Sequence, residues 1–123
     1  MPKLKVLLVD DDPVFVEIMK VRLEANNCEI CSAVNGQKGV EKVESDSPDI
    51  VFLDILMPVL DGMSALEIIR NKHKKLPVFM LTSFSTENRK EEAKRAGATG
   101  FIVKDGNIKE EIESILKKIK KDD

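Results

Sequence analysis

Five polar residues stand at the ends of four short apolar segments of this chain. They are Asp10, Asp11, Asp54, Thr82 and Lys104. If the four segments are parallel strands, their carboxyl ends lie side by side and the five side chains meet in one cleft. Carboxylates bind a divalent cation, a hydroxyl can donate a hydrogen bond to an anion, and a lysine can pair with one. This set of groups is typical of a site that accepts a phosphoryl group on a carboxylate.

Each of these residues has a simpler interpretation when it is taken alone. Asp10 and Asp11 could favour the dipole of a following helix, and Asp54 could be a turn residue. Thr82 could be an ordinary β-branched strand residue, and Lys104 a solvated charge at a sheet edge. We favour the shared site because adjacent acids beside a buried strand are costly without a cation.

The composition indicates one globular domain over residues 1–123. Apolar residues make up 42% of the 123 residues and charged residues 34%. With 20 basic and 22 acidic residues, the net charge of −2 gives no basic excess that would indicate nucleic-acid binding. The apolar segments are too short for a signal or membrane segment, so we expect a cytoplasmic protein that does not bind membranes.

Strand-like and helix-like segments alternate five times. Strands are expected at 4–10, Cys28–Ala33, 49–54, Val78–Thr82 and 100–104. The helices between and after them carry apolar residues at helical spacing: Phe15, Ile18, Met19 and Leu23; Val40 and Val43 within 39–44; Leu66 and Ile69; Ala93 and Ala96 within 86–96; and Ile108, Ile112, Ile115, Leu116 and Ile119. With only two alanines, the fourth helix is expected to be weakly docked and mobile.

This alternation predicts an α/β fold with a doubly wound five-stranded parallel sheet and five helices, of the flavodoxin-like kind. The first and third strands are the most apolar and should be central, whereas the more polar second strand should lie at an edge. The expected strand order is therefore 2-1-3-4-5. Ligands of such sheets bind beyond the carboxyl ends of the strands, between the first and third, which is where the acids fall.

Four other polar residues are interpreted as structural. Cys28 and Cys31 are three apart in a strand and should face opposite sides of the sheet, so they are not expected to share a metal or a redox bond. Asp12 precedes a proline and is expected to cap the first helix. His73 follows a helix among lysines and is expected at the surface.

The order and spacing of these motifs resemble a response-regulator receiver domain of bacterial two-component signalling, in the CheY-like superfamily. The matching motifs are Asp10-Asp11, Asp54 with Met57-Pro58 and Asp61-Gly62, Thr82-Ser83, Ala96-Gly97-Ala98, and Lys104. The resemblance implies that Asp54 is the phosphoacceptor. It implies an Mg²⁺ (or Mn²⁺) site whose ligands would be Asp10, Asp11, Asp54 and the backbone carbonyl of Leu56. Thr82 would bond one phosphoryl oxygen and Lys104 would pair with another.

The same resemblance implies a phosphorylated signalling domain rather than an enzyme, one that assists its own phosphotransfer and its slow self-dephosphorylation. The phosphoryl donor would be a sensor histidine kinase or a His-phosphotransfer protein. Thr82 and Phe101 would switch the surface made by the fourth helix, fifth strand and fifth helix. That surface would act on a target protein or an output domain, or form a phosphorylation-dependent dimer.

Two features vary within or depart from the family pattern. Leu56 and Phe84 are apolar at positions that tune the dephosphorylation rate, and neither can orient a water molecule, so slow self-hydrolysis is expected. Asp105 stands where the family usually has a proline in a cis bond. Because a cis bond before a non-proline residue costs about 2.5–4 kcal/mol, the bond after Lys104 is expected to be trans.

Two other classes of protein share parts of this pattern. A haloacid-dehalogenase-like phosphatase would use Asp10 and Asp12 as nucleophile and acid, but it would leave Asp54 unexplained. A flavodoxin-like electron carrier needs hydroxyls and backbone amides at the first strand–helix turn, where this chain has acids. The absence of tryptophan and tyrosine also removes the obvious flavin-stacking groups.

Overall fold

Five strands alternate with five helices in the described part of the chain. The computed structural model describes residues 3–57, 59–83, 87–104 and 107–121. The strands are β1 (Leu4–Val9), β2 (Cys28–Ala33), β3 (Ile50–Asp54), β4 (Val78–Thr82) and β5 (Gly100–Val103). The helices are α1 (Pro13–Ala25), α2 (Gly36–Asp46), α3 (Gly62–Lys72), α4 (Glu87–Arg95) and α5 (Ile108–Lys121).

The five strands form one parallel sheet in the order β2-β1-β3-β4-β5, which confirms the predicted order. All five residues of β3 are buried, as expected for a central strand covered on both faces. Asp54 is in register with Leu81, and Thr82 with Val103. The carboxyl ends of β3, β4 and β5 therefore lie at one edge of the sheet.

Successive residues of a strand contribute their side chains alternately to two separate hydrophobic cores, one on each face of the sheet. Phe52 packs with side chains of α1 and α5, whereas Leu53 packs with side chains of α2 and α3. Cys28 belongs to the first core and Cys31 borders the second, so the two thiols face opposite sides as predicted. Both cysteines are free thiols.

Two expectations about the helices need correction. The second helix begins at Gly36 and ends at Asp46, longer than the predicted 39–44, because the Asn35 side chain caps it by accepting a bond from the Lys38 amide at 2.8 Å. Ile18 of α1 is 45% exposed. It is one residue, or about 100° around the helix, from the buried Met19, so it leaves the apolar face.

His73 lies at the surface, as predicted, with 34% of its side chain exposed. It caps the end of α3, and its Nε2 lies 2.8 Å from Oε1 of Glu44 on α2. The predicted strands at 4–10, 49–54 and 100–104 are each one residue shorter in the structure. Asp10 and Lys104 consequently stand just beyond strand ends rather than within strands.

Candidate functional site

Three carboxylates converge at the carboxyl edge of the two central strands. Asp10 directly follows β1, and Asp54 is the last residue of β3. Both are buried, whereas Asp11 is exposed. One carboxylate oxygen from each of the three acids lies within 4.8 Å of the others. The sheet order predicted this convergence, because the switch point lies between β1 and β3.

The Asp10 carboxylate is held on both oxygens. The amide of Asp10 donates to the carbonyl of Ala33 at 3.0 Å, which ties the residue to β2. Its Oδ1 accepts a bond from the amide of Asp12 at 3.0 Å, and its Oδ2 lies 2.6 Å from Nζ of Lys104. Partners of this kind offset the free-energy cost of burying a charged group.

Asp12 serves as the N-cap of α1, as predicted. Its side chain accepts from the amides of Val14 at 3.0 Å and Phe15 at 3.4 Å. The phosphatase alternative would require Asp12 as its catalytic acid, but in this structure its carboxylate is already bonded to the helix.

The loop after Asp54 turns back sharply against the end of β3. The amide of Leu56 donates to the Asp54 carboxylate, and the amide of Gly62 donates to the carbonyl of Ile55 at 2.8 Å. A Cβ atom at position 62 would lie 2.0 Å from the carbonyl oxygen of Asp54, so only glycine fits there. This turn leaves the Leu56 side chain 53% exposed beside the cleft.

Lys104 brings the cation to the acids from the edge strand. Its amide donates to the carbonyl of Thr82 at 2.8 Å, which fixes its backbone beside β4. Its Nζ lies 2.6 Å from Oδ2 of Asp10 and 3.6 Å from Oδ2 of Asp54. The side chain is only 14% exposed, so these charges interact through little water.

The electrostatics of the cleft favour binding of a further cation. Burial, followed by repulsion from Asp10, raises the pKa of Asp54 to about 6, although Lys104 and the Leu56 amide oppose the rise. Burial acts to lower the pKa of Lys104, but the bonds and charges of Asp10 and Asp54 outweigh it and raise the pKa. The lysine stays charged, and its single charge leaves the three acids with excess negative charge.

This donor set fits a divalent metal. Three carboxylate oxygens close together at the edge of an open cleft are the ligands that Mg²⁺ and Mn²⁺ prefer. Among the described residues, no other group of three or more His, Cys, Asp or Glu side chains converges in this way.

The remaining predicted residues are only partly placed by the structure. Thr82 ends β4 and is buried, one strand away from Asp54. Phe101 of β5 is half-buried and lines a groove of about 450 Å³ with Phe79 and Ile115. Phe84 and the bond between Lys104 and Asp105 lie outside the described residues.

Sequence reasoning missed two residues that border these elements. The ring of Phe15 lies under Lys104, with Nζ 4.5 Å from the ring centroid. The guanidinium of Arg70 on α3 donates to the carbonyls of Gly97 at 2.7 Å and His73 at 2.8 Å, and to the Thr99 hydroxyl at 3.3 Å. The helical position of Phe15, three residues after a cap, could have suggested its contact, but nothing in the sequence marks Arg70.

Comparison with known proteins gives a consistent result. Residues 6–117 match the response regulator receiver domain family. The chain is 30% identical over 100 residues to the alkaline phosphatase synthesis transcriptional regulatory protein PhoP of Bacillus subtilis, an alignment covering 81% of this chain and 42% of that protein. The receiver domain of Francisella response regulator 1452 superimposes with a TM-score of 0.89 at 27% identity, covering 98% of this chain and 100% of that one.

A second solved structure bears on the acidic cleft. The receiver domain of the sensor histidine kinase PA1611 of Pseudomonas aeruginosa has a TM-score of 0.85 and 26% identity, covering 94% of this chain and 96% of that one. That structure has a magnesium ion coordinated in its active-site cleft. The chain spans only 36% to 51% of the length of the curated relatives it matches. Within the described residues, no helix combines the length and apolar character that crossing a membrane requires.

Proposed function

The chain belongs to the response-regulator receiver domain family, and on that premise we propose that residues 1–123 form a receiver domain that accepts a phosphoryl group on Asp54. The observation that carries the proposal is the convergence of three carboxylates beside one lysine. Nζ of Lys104 lies 3.6 Å from Asp54, and one oxygen each of Asp10, Asp11 and Asp54 lies within 4.8 Å of the other two. A purely structural ion pair would not need two additional acids.

Asp54 is suited to act as the nucleophile. Above a pH of about 6 its carboxylate is ionised, and burial holds it in the cleft away from bulk water. One of its oxygens attacks phosphorus and forms the O–P bond. The N–P bond of the donor phosphohistidine breaks, and its electron pair stays on the ring nitrogen of the donor.

Two cations overcome the repulsion between the Asp54 carboxylate and the phosphoryl group. Lys104 is already 3.6 Å from Asp54, so it can pair with a phosphoryl oxygen after a small movement. Asp10, Asp11, Asp54 and the backbone carbonyl of Leu56 would hold Mg²⁺ or Mn²⁺. When bound, the metal neutralises charge that develops on the phosphoryl oxygens. Thr82, buried at the end of the next strand, would donate to a third oxygen.

The phosphoryl donor is proposed to be a sensor histidine kinase or a His-phosphotransfer protein. His73 is the one histidine in the 123 residues and lies at the end of α3, with its Nε2 2.8 Å from Glu44, so we propose that the donor histidine lies outside these residues. Exposed apolar side chains occur in the segments that follow β1, β2 and β3, and a protein donor can cover them. Val14, Val34, Leu56 and Val59 are 67%, 62%, 53% and 81% exposed, and each follows the carboxyl edge of the sheet.

Phosphorylation is proposed to switch the surface formed by α4, β5 and α5. The product adds about −1.5 to −2 charges to an acidic cleft, which would draw Thr82 towards the new group. Phe101 would then turn inward from its half-buried position, driven by burial of its ring. A target protein, an output domain or a second copy would recognise the altered surface. The domain signals rather than catalysing a reaction on a separate substrate, and its apolar Leu56 and Phe84 favour slow self-dephosphorylation.

The direct test is intact mass after incubation with Mg²⁺ and phosphoramidate. Wild type should gain one phosphoryl group, and Asp54→Asn should gain none. Asp61→Asn is a matched control because Asp61 caps α3, with its Oδ1 2.8 Å from the Ser64 amide, and asparagine caps equally well. This control should be phosphorylated as wild type is.

Each outcome has a distinct meaning. Loss of the adduct in EDTA would support the metal requirement. An adduct that persists in Asp54→Asn would move the acceptor to another residue. Absence of an adduct in wild type would refute the phosphoacceptor function while leaving the fold and the family intact.

A further inference from the structure

The ring of Phe15 closes a circuit of contacts around the cleft. Asp10 accepts from the Asp12 amide, and the Asp12 carboxylate accepts from the Phe15 amide at 3.4 Å. The centroid of the Phe15 ring lies 4.5 Å from Nζ of Lys104, and the same Nζ lies 2.6 Å from Oδ2 of Asp10. Each member of the circuit is thereby positioned by its neighbour.

Phe15 is itself held firmly. It is the third residue of α1, whose cap at Asp12 and proline at position 13 fix the first turn. The ring is half-buried and packs on the core shared by α1 and α5. A ring fixed in this way offers a defined face to the lysine, unlike a mobile aliphatic chain.

We propose that Phe15 is a positioning residue for phosphoryl transfer, whose ring face holds the Lys104 ammonium between Asp10 and Asp54. The ammonium lies well within the distance at which a cation is attracted by an aromatic face. Because the lysine side chain is only 14% exposed, little water competes for that contact. The ring also blocks retreat of the lysine towards the core, so the cation remains within reach of a group on Asp54.

The effect on reaction rate follows from side-chain freedom. Lysine has four rotatable bonds, and fixing such a side chain during a reaction costs about 0.5–1.5 kcal/mol. Because the ring orders the Lys104 side chain before the phosphoryl group arrives, less side-chain entropy is lost during the reaction. Its removal should slow phosphorylation of Asp54 by a factor of about 2 to 13. The inference rests on the proposed phosphoacceptor function.

The experiment compares Phe15→Leu, Phe15→Tyr and the matched control Phe79→Leu. Phe79 is also half-buried and borders the same core, but it lines the groove beside α5 rather than the cleft. Two quantities are measured: the rate of phosphorylation by phosphoramidate at saturating Mg²⁺, and the proton chemical shift of the Lys104 ε-methylene group. The ring should move that shift upfield in wild type, whether or not the protein is phosphorylated.

We expect Phe15→Leu to lose the upfield shift and the rate advantage, Phe15→Tyr to retain both, and Phe79→Leu to retain both. A Phe15→Leu rate within about twofold of wild type would overturn the proposal while leaving Asp54 as the acceptor. So would a Phe15→Tyr variant as slow as Phe15→Leu, because the ring face would then be irrelevant. A wild type that takes no phosphoryl group would overturn both this inference and the proposed function.

Discussion

Replacing the phosphoacceptor should make the metal-free protein more stable at neutral pH. Burial and repulsion raise the pKa of Asp54 from 3.8 to about 6, so its ionised form is held in the fold at a cost. Each pKa unit corresponds to about 1.4 kcal/mol, which gives a penalty of about 3 kcal/mol above pH 6. The side chain is only 9% exposed, so solvent screening reduces this figure little. Asp54→Asn removes the charge and retains an oxygen for the Leu56 amide.

The pH dependence identifies the cause. For an acid whose pKa is higher in the folded state, the native protein binds more protons than the unfolded chain between pH 3.8 and about 6. Stability of wild type is therefore lost in this window as the pH rises, and Asp54→Asn does not share that loss. The two proteins should be equally stable below about pH 4 and differ by about 2–3 kcal/mol above about pH 6, a difference of about 10 °C in Tm.

Unfolding is best followed by far-UV circular dichroism, because the chain has no tryptophan or tyrosine. Urea and thermal unfolding in EDTA would be measured across the pH range for wild type, Asp54→Asn and the exposed control Asp61→Asn. The control should stay within about 0.5 kcal/mol of wild type. Equal stability of wild type and Asp54→Asn at neutral pH, or a difference that grows on acidification, would refute the assignment of a charge penalty to Asp54.

Three further predictions concern Lys104, Arg70 and the pair of positions 56 and 84. Lys104→Met leaves buried Asp10 without its cation and should lower the unfolding free energy at neutral pH by about 3 kcal/mol. The exposed control Lys90→Met should change the unfolding free energy by less than about 0.5 kcal/mol. Equal losses of stability in the two variants would contradict this prediction. Arg70→Met removes two hydrogen bonds to the junction of α4 and β5 and one to the carbonyl of His73, and it should speed amide exchange at 97–99 about tenfold without affecting α5. The double variant Leu56→Asn, Phe84→Glu supplies polar groups that can orient water, so its phosphoryl adduct should decay faster than that of wild type by intact mass; slower decay would refute the tuning role.

The fold could be predicted from the sequence because a strand that is buried on both faces appears as a continuous run of apolar residues. β3 is apolar at four consecutive positions, which only a central strand tolerates, and β2 is the most polar strand and lies at the edge. Strand order then places Asp10, Asp54 and Lys104 at one edge without further information. Residues whose role follows from topology were thus predictable.

Contacts that depend on side-chain direction could not be predicted in the same way. Whether the Lys104 chain turns towards Asp10 at 2.6 Å or towards Asp54 at 3.6 Å depends on rotamers and on the ring beneath it. The Arg70 network depends on where α3 ends relative to the loop before β5, which no local pattern specifies. Ile18 was misassigned for a related reason, since apolar spacing does not show where a helix face stops being buried.

The acids and the lysine of the cleft are held by strands with different numbers of neighbours in the sheet. Asp10 and Asp11 follow β1 and Asp54 ends β3, and each of these strands is hydrogen-bonded to a strand on either side. Lys104 follows β5, which has a neighbour on one side only. A ligand that displaces this outer strand would withdraw the cation and leave the acids in place. We therefore expect the position of β5 to determine how much of the negative charge of the acids Lys104 neutralises. A shift of β5 would change how strongly the cleft attracts a metal ion or repels an anion.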